Sequence, residues 1–274
     1  MTTRRELDTR LRTLDELAEI LSSLKTLALA ETRKLTRLQA CQAGVADAVE
    51  RTAADFFRYY RNIPALDGQT AVVVAVGSEC GFVGDFNKRI IAAWPREARM
   101  LAVGQRLYNQ CQGDARLAGW LEGAVVAAEV EPTLDRLIES INELNESQGR
   151  LRIGAIHNMP GEADVRLAPI FPPFRGRDCV PAAGYPPRLY LKPSEFLREL
   201  LKHYLFATFR AVLLDSLLAE NEARMQHLEN AVRRLEEQQA SLTRHRQLLR
   251  QEEITQEIEM ILLSAEVVGI DVDR

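Results

Sequence analysis

Hydrophobic residues recur at helical spacing over the first part of the chain. No proline and only one glycine, Gly44, interrupt the stretch from Arg4 to about Asn62. The apolar positions, most of them three or four residues apart, are Leu7, Leu11, Leu14, Leu17, Leu21, Leu24, Ala28, Leu35 and Leu38. This periodicity predicts one amphipathic helix of roughly 90 Å, which a single compact core cannot cover. Two apolar stripes compete around Leu24 and Lys25, so the pattern leaves the register of the helix open.

The middle of the chain has a different pattern, in which short apolar runs alternate with helical spacing. Three runs predict buried strands, and a helical run that begins with proline lies between the second and third. The strand runs are QTAVVVAVG, ARMLAVG and GRLRIGAI, and the helical run is PTLDRLIESINELNES. Strands that alternate with helices predict a Rossmann-like α/β domain with a largely parallel sheet. The stretch PIFPPFRGRDCVPAAGYPPRLYLKP predicts an extended, irregular connection.

A second long helix is predicted towards the end of the chain. It begins at Ser194, a good N-cap residue followed by Glu195, and continues to about Val268 without proline or glycine. Four leucines repeat every seven residues, as in the seam of a left-handed coiled coil. They are Leu228, Leu235, Leu242 and Leu249; the companion positions Met225 and Val232 are apolar, whereas Gln239 and Arg246 are polar.

Two long, one-sided helices at opposite ends of the chain favour pairing with each other. A half-polar seam disfavours a simple zipper between two copies of the chain. We therefore expect an antiparallel coiled-coil rod with the α/β domain inserted between its helices. The predicted segments are 1–62 for the N-terminal helix, 63–193 for the α/β globular domain and 194–274 for the C-terminal helix.

Composition narrows the classes of function. The chain has 274 residues, of which 46% are hydrophobic and 27% charged, and a net charge of −4. Because there is no global basic field, nucleic acid is not expected as a partner. The start MTTRRELDTR lacks an apolar signal core and no apolar run is long enough to span a bilayer, so we expect a cytoplasmic protein without direct membrane insertion.

Catalytic, metal and cofactor motifs are not apparent in the sequence. The four cysteines, Cys41, Cys80, Cys111 and Cys179, form no CxxC pair and lie apart from the four histidines, so idle thiols are expected. There is no GxxxxGK[ST] phosphate loop and no recognisable Ser/His/Asp or Cys/His set. We expect a non-catalytic protein with no cofactor and no metal.

Three stretches of the chain resemble the gamma subunit of F-type ATP synthases, the central rotor shaft. The segment YLKPSEFLRELLKHYLFATFRAVLLDSLLAENEARM retains the family's ending at Ser216, Leu217, Glu220, Ala223, Arg224 and Met225. The segment RQEEITQEIEMI retains Arg250, Gln251, Ile254, Thr255, Glu257 and Ile258. The loop VGSECGFVGDFNKRI retains Ser78, Gly81, Gly84 and Asn87.

The departures from the family pattern concern charge and loop shape. In the loop, Glu79 replaces the family's Asp, Cys80 its Arg, Val83 its Cys and Asp85 a Gly, and in the first helix Glu19 and Glu31 replace lysines. These departures suggest a divergent copy, such as a second, sodium-translocating type of bacterial F-type ATPase.

The resemblance implies a set of partners and contact residues. A gamma subunit couples ion translocation through a membrane c-type rotor ring to ATP synthesis or hydrolysis at the beta subunits, and it also contacts the alpha and epsilon subunits. The implied contacts with a beta subunit are Arg250, Gln251 and Thr255, joined by the basic residues Arg33, Lys34, Arg233 and Arg234. The implied contacts with the rotor ring or epsilon subunit are Ser78, Glu79 and Asn87. The resemblance also implies a peripheral position on the cytoplasmic face of the plasma membrane.

The basic residues have a structural alternative. Arg33, Lys34 and Arg37 could pair with Glu31 on their own helix, and Arg233 and Arg234 could pair with Glu236 and Glu237. A solvated helix face is likewise the alternative for the residues near Arg250.

Two other functions compete with the rotor shaft. A dinucleotide site is suggested by Gly77, Gly81 and Gly84 after the first strand, but their GxxxGxxG spacing departs from GxGxxG and no acidic residue ends the next strand. A coiled-coil scaffold or adaptor without a motor role would explain both helices, but not the motif around Arg250.

Overall fold

The structure is a computed structural model that describes residues 4–60, 70–162, 164–173 and 188–270. Its two long helices are α1, Arg4–Tyr59, and α5, Pro193–Ile270, which confirm the two predicted helices. The other elements are β1 Thr70–Val76, α2 Phe86–Ala92, β2 Arg99–Val103, α3 Gln105–Cys111, β3 Leu117–Leu121, a short 3-10 helix Ala127–Glu129, α4 Val130–Gln148, β4 Leu151–Asn158 and β5 Val165–Phe171. Cys179 and most of the predicted proline-rich connection lie outside the described residues.

The chain divides into two compact units, each of which contains parts of both long helices. The helix-pair unit consists of Met1–Thr26 and Leu228–Arg274, and the sheet unit consists of Leu27–His227. The borders between the units therefore fall inside α1 and α5. The predicted segments 1–62, 63–193 and 194–274 follow the order of elements along the chain, and as domains they stay a prediction.

The sheet unit is built on one five-stranded sheet with the order β3-β2-β1-β4-β5. Strand β1 pairs in parallel with both β2 and β4, and β3 pairs in parallel with β2. Only the edge strand β5 runs antiparallel to its neighbour. The largely parallel sheet that the alternating pattern predicts is thus confirmed.

Alternate residues of β1 face two different hydrophobic cores. Val72, Val74 and Val76 lie in a core shared with α4, α1 and α5, whereas Val73 and Ala75 lie in a core shared with α2 and α3. Because successive side chains of a strand point to opposite faces, a strand buried on both faces must be apolar throughout. This explains why β1 reads as one continuous run of valine and alanine.

The two outer strands were not among the predicted ones. Strand β3 is a five-residue segment whose side chains are mostly half-exposed, which gives a weak apolar signal. Strand β5 ends in Pro169–Phe171, so the expectation of irregular structure from Pro169 onward is wrong over these residues. An edge strand tolerates proline because one side of its backbone has no neighbouring strand.

Candidate functional site

Three polar pairs fix the antiparallel register of the helices in the helix-pair unit. They are Arg246 Nη1 with Asp8 Oδ1 at 3.1 Å, Gln239 Nε2 with Asp15 Oδ1 at 2.8 Å, and Lys25 Nζ with Glu229 Oε1 at 3.3 Å. Along α5 the residue numbers fall by the same steps as they rise along α1, so one constant register joins all three pairs. The polar companion positions of the leucine heptad are therefore occupied by groups that find partners across the seam.

The same register places the start of α1 level with Arg250. From Arg250 to Ser264 every residue of α5 is exposed. Arg250, Gln251 and Thr255 all lie in this exposed stretch, and the Thr255 hydroxyl donates to the carbonyl of Gln251 at 2.9 Å. The predicted beta-contact residues thus lie within two successive turns of an exposed helix segment, and their contact with a beta subunit stays a prediction.

Apolar side chains share this exposed stretch. Ile254, Ile258 and Ile261 are 46%, 52% and 65% exposed. Single exposed aliphatic residues are ordinary, whereas several of them along one helix end are typical of an interaction surface. We call the residues from Arg250 to Ser264 the helix tip.

The first basic cluster lies on α1 in the sheet unit. Arg33, Lys34 and Arg37 are exposed, and Lys34 Nζ pairs with Glu31 Oε1 at 2.9 Å. The intrahelical alternative is therefore what the structure shows for Lys34. Glu31 is held in addition by the backbone N–H of Ala127, which donates to its Oε2 at 3.2 Å.

The second basic cluster lies on α5 in the helix-pair unit. Arg233 and Arg234 are exposed, and Arg233 donates to Asn230 Oδ1 at 3.3 Å. Among the described residues, the structure shows no ion pair between these arginines and Glu236 or Glu237. Both guanidinium groups remain accessible to a partner.

The loop after β1 is shaped from within by Ser78 and Asn87. The backbone N–H of Ser78 donates to Asn87 Oδ1 at 2.9 Å, and Asn87 Nδ2 donates to Ser78 Oγ at 2.9 Å. Both residues are buried, at 0% and 3% exposure. Their side chains thus hold the loop in place, and their contact with the rotor ring or epsilon subunit stays a prediction.

Glu79 joins the same loop to two other chain segments. Its Oε2 accepts the backbone N–H of Gln105, the first residue of α3, at 2.9 Å, and that of Gly123 at 2.7 Å. A carboxylate of the chain itself therefore occupies these backbone donors, which in a dinucleotide fold would be candidates for a phosphate. This arrangement argues against the dinucleotide site suggested by the glycine spacing.

Helix α5 crosses the carboxyl end of the sheet. Ser216 donates from Oγ to the carbonyl of Val76, the last residue of β1, at 2.9 Å, and Ala219 lies in the core with α2 and α3. In doubly wound sheets, ligands bind outside the carboxyl ends of the strands where the strand order reverses, here between β1 and β4. Ser216 and Ala219 of α5 lie beside that crevice.

A buried ion pair holds the loop against α5. Glu220 is 2% exposed and pairs with Arg224, which also donates from Nε to the carbonyl of Gly81 at 3.3 Å. Burial raises the pKa of Glu220 to about 7, against the opposing effects of Arg224 and of the backbone N–H groups of Cys80 and Glu79. Arg224 thus connects the loop after β1 to Glu220 of α5.

Further polar contacts connect the long helices inside the sheet unit. Arg210 on α5 donates from Nε to Glu131 Oε1 of α4 at 2.5 Å and also contacts Gln42 of α1. Gln39 donates from Nε2 to Asp215 Oδ1 at 2.6 Å. These contacts fix α1, α4 and α5 against one another within this unit.

The described part of the chain contains neither a metal-ligating cluster nor a membrane-spanning helix. No group of three His, Cys, Asp or Glu side chains there is placed to hold a metal ion. The described cysteines, Cys41, Cys80 and Cys111, are all free thiols. None of the helices within the described ranges combines the length and apolarity needed to cross a bilayer.

Comparison with known proteins identifies the family. The family model described as ATP synthase matches residues 3–268, which is nearly the whole chain. The chain belongs to the ATP synthase gamma-subunit family. No curated protein matches the chain significantly.

Solved structures with the same fold come from rotary synthases. A chain from the Euglena gracilis mitochondrial ATP synthase, described as OSCP/F1/c-ring in rotational state 3, matches with a TM-score of 0.67 and 14% identity, over 99% of this chain and 96% of that one. A chain from the rotor of the same synthase in rotational state 1 matches with a TM-score of 0.62 and 14% identity, over 92% and 98%. A third, from the central stalk and c-ring of the Tetrahymena thermophila mitochondrial ATP synthase, matches with a TM-score of 0.55 and 14% identity, over 77% and 99%.

Two residues of this gamma-family chain could not be assigned a role from sequence alone: Glu131 and Arg210 pair with each other across 79 positions of the chain. Glu79 was expected only as a contact with the rotor ring or epsilon subunit, which stays a prediction, and its role in joining the loop to Gly123 was missed. The one available signal was the pair Glu220 and Arg224, four residues apart inside an otherwise apolar stretch, a spacing that favours an intrahelical ion pair.

Proposed function

We propose that this chain is the central rotor shaft of an F-type rotary ATPase and acts as a non-catalytic subunit. It couples ion translocation through a membrane c-type ring to ATP synthesis or hydrolysis at beta subunits, and it contacts alpha and epsilon subunits. It lies peripherally on the cytoplasmic face of the membrane. The observation that carries this proposal is the exposed helix tip, which contains the family motif Arg250, Gln251 and Thr255.

The helix tip has the chemistry of a contact that forms and breaks during each rotation. A guanidinium and an amide on one exposed turn can donate charge-assisted hydrogen bonds to a carboxylate or carbonyl of a beta subunit. Because these residues are exposed in the free chain, a partner can reach them directly. The aliphatic residues Ile254, Ile258 and Ile261 add apolar surface beside these donors.

The decisive experiment is ATP hydrolysis by the complex reconstituted with alpha and beta subunits. Arg250→Ala combined with Gln251→Ala should lower turnover by roughly tenfold, which corresponds to one lost charge-assisted hydrogen bond. The matched control is Arg244→Ala with Gln247→Ala, which removes the same two residue types where α5 is paired with α1. Unchanged turnover in the first variant would remove Arg250 and Gln251 from the contact.

The two basic clusters are proposed as additional contacts with acidic segments of beta subunits. Arg33, Arg233 and Arg234 are better candidates for these contacts than Lys34, because Lys34 is already paired with Glu31. Replacing Arg33 or the Arg233 and Arg234 pair with alanine should make the torque of the assembled motor less sensitive to salt, since screened pairs are lost. A torque that does not depend on salt in the unmodified complex would favour intrahelical roles.

The loop from Ser78 to Asn87 is proposed as the contact with the rotor ring or epsilon subunit. Because Ser78 and Asn87 are buried, the contact would be made by the surface that they hold in place, where Phe82 is 50% exposed. A photo-cross-linking residue at position 82 should attach to the epsilon subunit or to the ring. Cross-links to neither subunit would exclude this face of the loop from that interface.

A scaffold without a motor role is the remaining alternative. It predicts a chain that binds neither alpha nor beta subunits. Purification of the tagged chain from solubilised membranes of its source distinguishes the two functions, because a shaft is recovered with about three alpha and three beta subunits per chain.

A further inference from the structure

Phe82, in the loop after β1, has a backbone conformation that aromatic residues rarely adopt. Its φ is 62°, and within the described ranges it is the one residue other than glycine with a positive φ. For a bulky L-residue this left-handed region is a genuine outlier, because the Cβ atom comes too close to a backbone carbonyl oxygen. The loop therefore holds strain at position 82.

The loop makes a left-handed turn on each side of Val83. Val83 is 9% exposed and packs in the core with α2 and α3, whereas Phe82 and Gly84 beside it both have a φ of 62°. Glycine makes the second of these turns without strain, and it would make the first one equally well. The shape of the loop therefore does not explain why position 82 is a phenylalanine.

The side chain of Phe82 has few contacts inside the free chain. It is 50% exposed, and its aromatic neighbour among the described residues is His227, with a tilted ring 6.3 Å away between centroids. A half-exposed ring gains only part of the stabilisation that a core position provides. Strained residues that the surrounding structure keeps in place are typical of functional positions such as clamps and switches.

Helix α5 holds the main chain just before Phe82. Arg224 donates from Nε to the carbonyl of Gly81 at 3.3 Å, and Glu220 accepts the backbone N–H of Cys80. These bonds reach the backbone, so they fix the path of the loop independently of the side chain at position 82. A side chain that is presented from a fixed backbone loses less conformational entropy when a partner binds it.

The charges around Phe82 in the sequence are balanced. From Glu79 to Arg89 the chain has two acidic and two basic residues, and Asp85 Oδ1 lies 3.8 Å from Arg89 Nε. An anionic membrane surface attracts segments with an excess of basic residues. An aromatic side chain with paired charges nearby matches instead the apolar centre and polar rim of a protein–protein interface.

We propose that Phe82 is the anchor of the interface made by this loop, and that its ring inserts into an apolar pocket of a partner protein subunit in the assembled complex. The inference rests on the proposed function, in which the loop is an interface. It adds the side chain that carries the binding and the kind of site that receives it. It does not depend on the helix tip.

The first test compares Phe82→Ala with Phe82→Gly in the free full-length chain. Both variants remove the ring, but only glycine relieves the left-handed backbone. We expect the folding equilibrium of the glycine variant to be about fivefold more favourable than that of the alanine variant, the reverse of the order at an ordinary position. Urea denaturation measures the difference. An alanine variant as stable as the glycine variant would show that position 82 is not left-handed, and the proposal would fail.

The second test measures binding with the same two variants. A photo-cross-linking phenylalanine analogue at position 82 first identifies the subunit that covers the loop in the complex purified from membranes. The affinity of that subunit, once purified, for the free chain should fall by about thirtyfold or more in both variants, the loss that defines a hot spot. Phe82→Leu keeps an apolar side chain and should lose less.

The matched control for binding is Phe206→Ala. It removes another partly exposed phenylalanine, 39% exposed on the regular helix α5, and should leave the affinity unchanged. Equal losses in Phe82→Ala and Phe206→Ala would show a general effect of lost apolar surface. Unchanged affinity in Phe82→Ala and Phe82→Gly, or cross-links to lipid alone, would overturn the proposal.

Failure of the anchor and failure of the proposed function give different results. If the anchor is correct, Phe82→Ala removes the subunit that covers the loop from the purified complex and retains the alpha and beta subunits. A parent chain that is recovered without alpha and beta subunits would count against the rotor shaft. The anchor would still stand in that case if position 82 is cross-linked to another protein and the two variants lose its binding.

Discussion

The Oε2 atom of Glu79 accepts the backbone N–H of Gly123 at 2.7 Å, across 44 positions of sequence. The same oxygen accepts the N–H of Gln105, so one carboxylate satisfies two backbone donors from separate loops. Buried or half-buried backbone donors need such partners, because their desolvation is costly. Glu79 thus connects the loop after β1 to the ends of β2 and β3.

Replacement of Glu79 should therefore destabilise the sheet unit. We expect Glu79→Ala to lower the free energy of unfolding by about 2 kcal/mol, since two donors lose their acceptor. Glu79→Gln retains one acceptor oxygen and should cost less. The measurement is urea denaturation of the full chain, with the exposed Glu97→Ala as a control that should change stability by no more than about 0.5 kcal/mol. Equal stability of Glu79→Ala and Glu97→Ala would contradict the anchoring role.

A pair of phenylalanines on α5 tests the position of the core. Phe209 is 0% exposed in the core with β1 and α4, whereas Phe206, three residues earlier, is 39% exposed. Phe209→Ala should lower the free energy of unfolding by about 3–5 kcal/mol, the range for large cavities. Phe206→Ala should cost less, because 39% of the Phe206 surface is already in contact with water and its removal leaves no enclosed cavity. Similar losses in the two variants would show that this stretch of α5 is packed differently.

The long helices could be predicted from sequence because their signal is local and repeated many times. Leu228, Leu235, Leu242 and Leu249 define the inward face of α5 without any knowledge of its partner. The pairing register could not be predicted, because two apolar stripes meet around Leu24 and Lys25 and the sequence does not decide which one faces α5. The cross-helix pairs such as Gln239 with Asp15 decide between them, and such pairs are visible only in three dimensions.

The sheet was predictable where its strands are buried on both faces and not where they form its edges. Strand β1 shows a continuous apolar run, whereas β3 and β5 are half-exposed and contain glycine or proline. The residues of the candidate site likewise divide into those with a local signal in the sequence and those without one. The motif at Arg250 could be found by resemblance, but Glu79 depends on neighbours that are distant in sequence.

Glu220 should make folding stability fall as the pH rises. Burial raises its pKa to about 7 from an ordinary value of 4.5, so the folded chain binds this proton more tightly than the unfolded chain does. Its contribution is fully present below about pH 4.5 and is lost as the pH rises to about 7. Glu220→Gln removes the titration and keeps the shape of the side chain. The free energy of unfolding of the variant, minus that of the parent, should therefore increase between pH 4.5 and 7.

Urea denaturation at several pH values checks this difference. Glu143→Gln serves as the control, because its carboxylate is exposed on α4 and its curve should run parallel to that of the parent. A Glu220→Gln curve that is also parallel to the parent would mean that the Glu220 carboxyl has the same proton affinity in the folded and unfolded chains.

His157 should act in the opposite direction. Burial, and to a lesser extent the charge of Arg166, lowers the pKa of His157 to about 4, although Asp215 Oδ2 lies 3.9 Å from its Nε2. Neither ring nitrogen has a hydrogen-bond partner among the described residues. The unfolded chain therefore binds this proton more tightly, and stability is lost as the pH falls from about 6.5 to about 4.

His157→Phe isolates this effect, because phenylalanine fills the same buried position on β4 and removes no hydrogen bond seen in the structure. Relative to the parent, the variant should become progressively more stable as the pH falls below about 6.5, by up to a factor of ten in the folding equilibrium per pH unit. The exposed His245→Phe provides the control, whose stability should follow the parent over the same range. In the parent, the ring proton resonances of His157 should stay constant down to about pH 5. Titration of those resonances near pH 6.5 would show that water reaches the ring, in which case the charge on Asp215 outweighs burial.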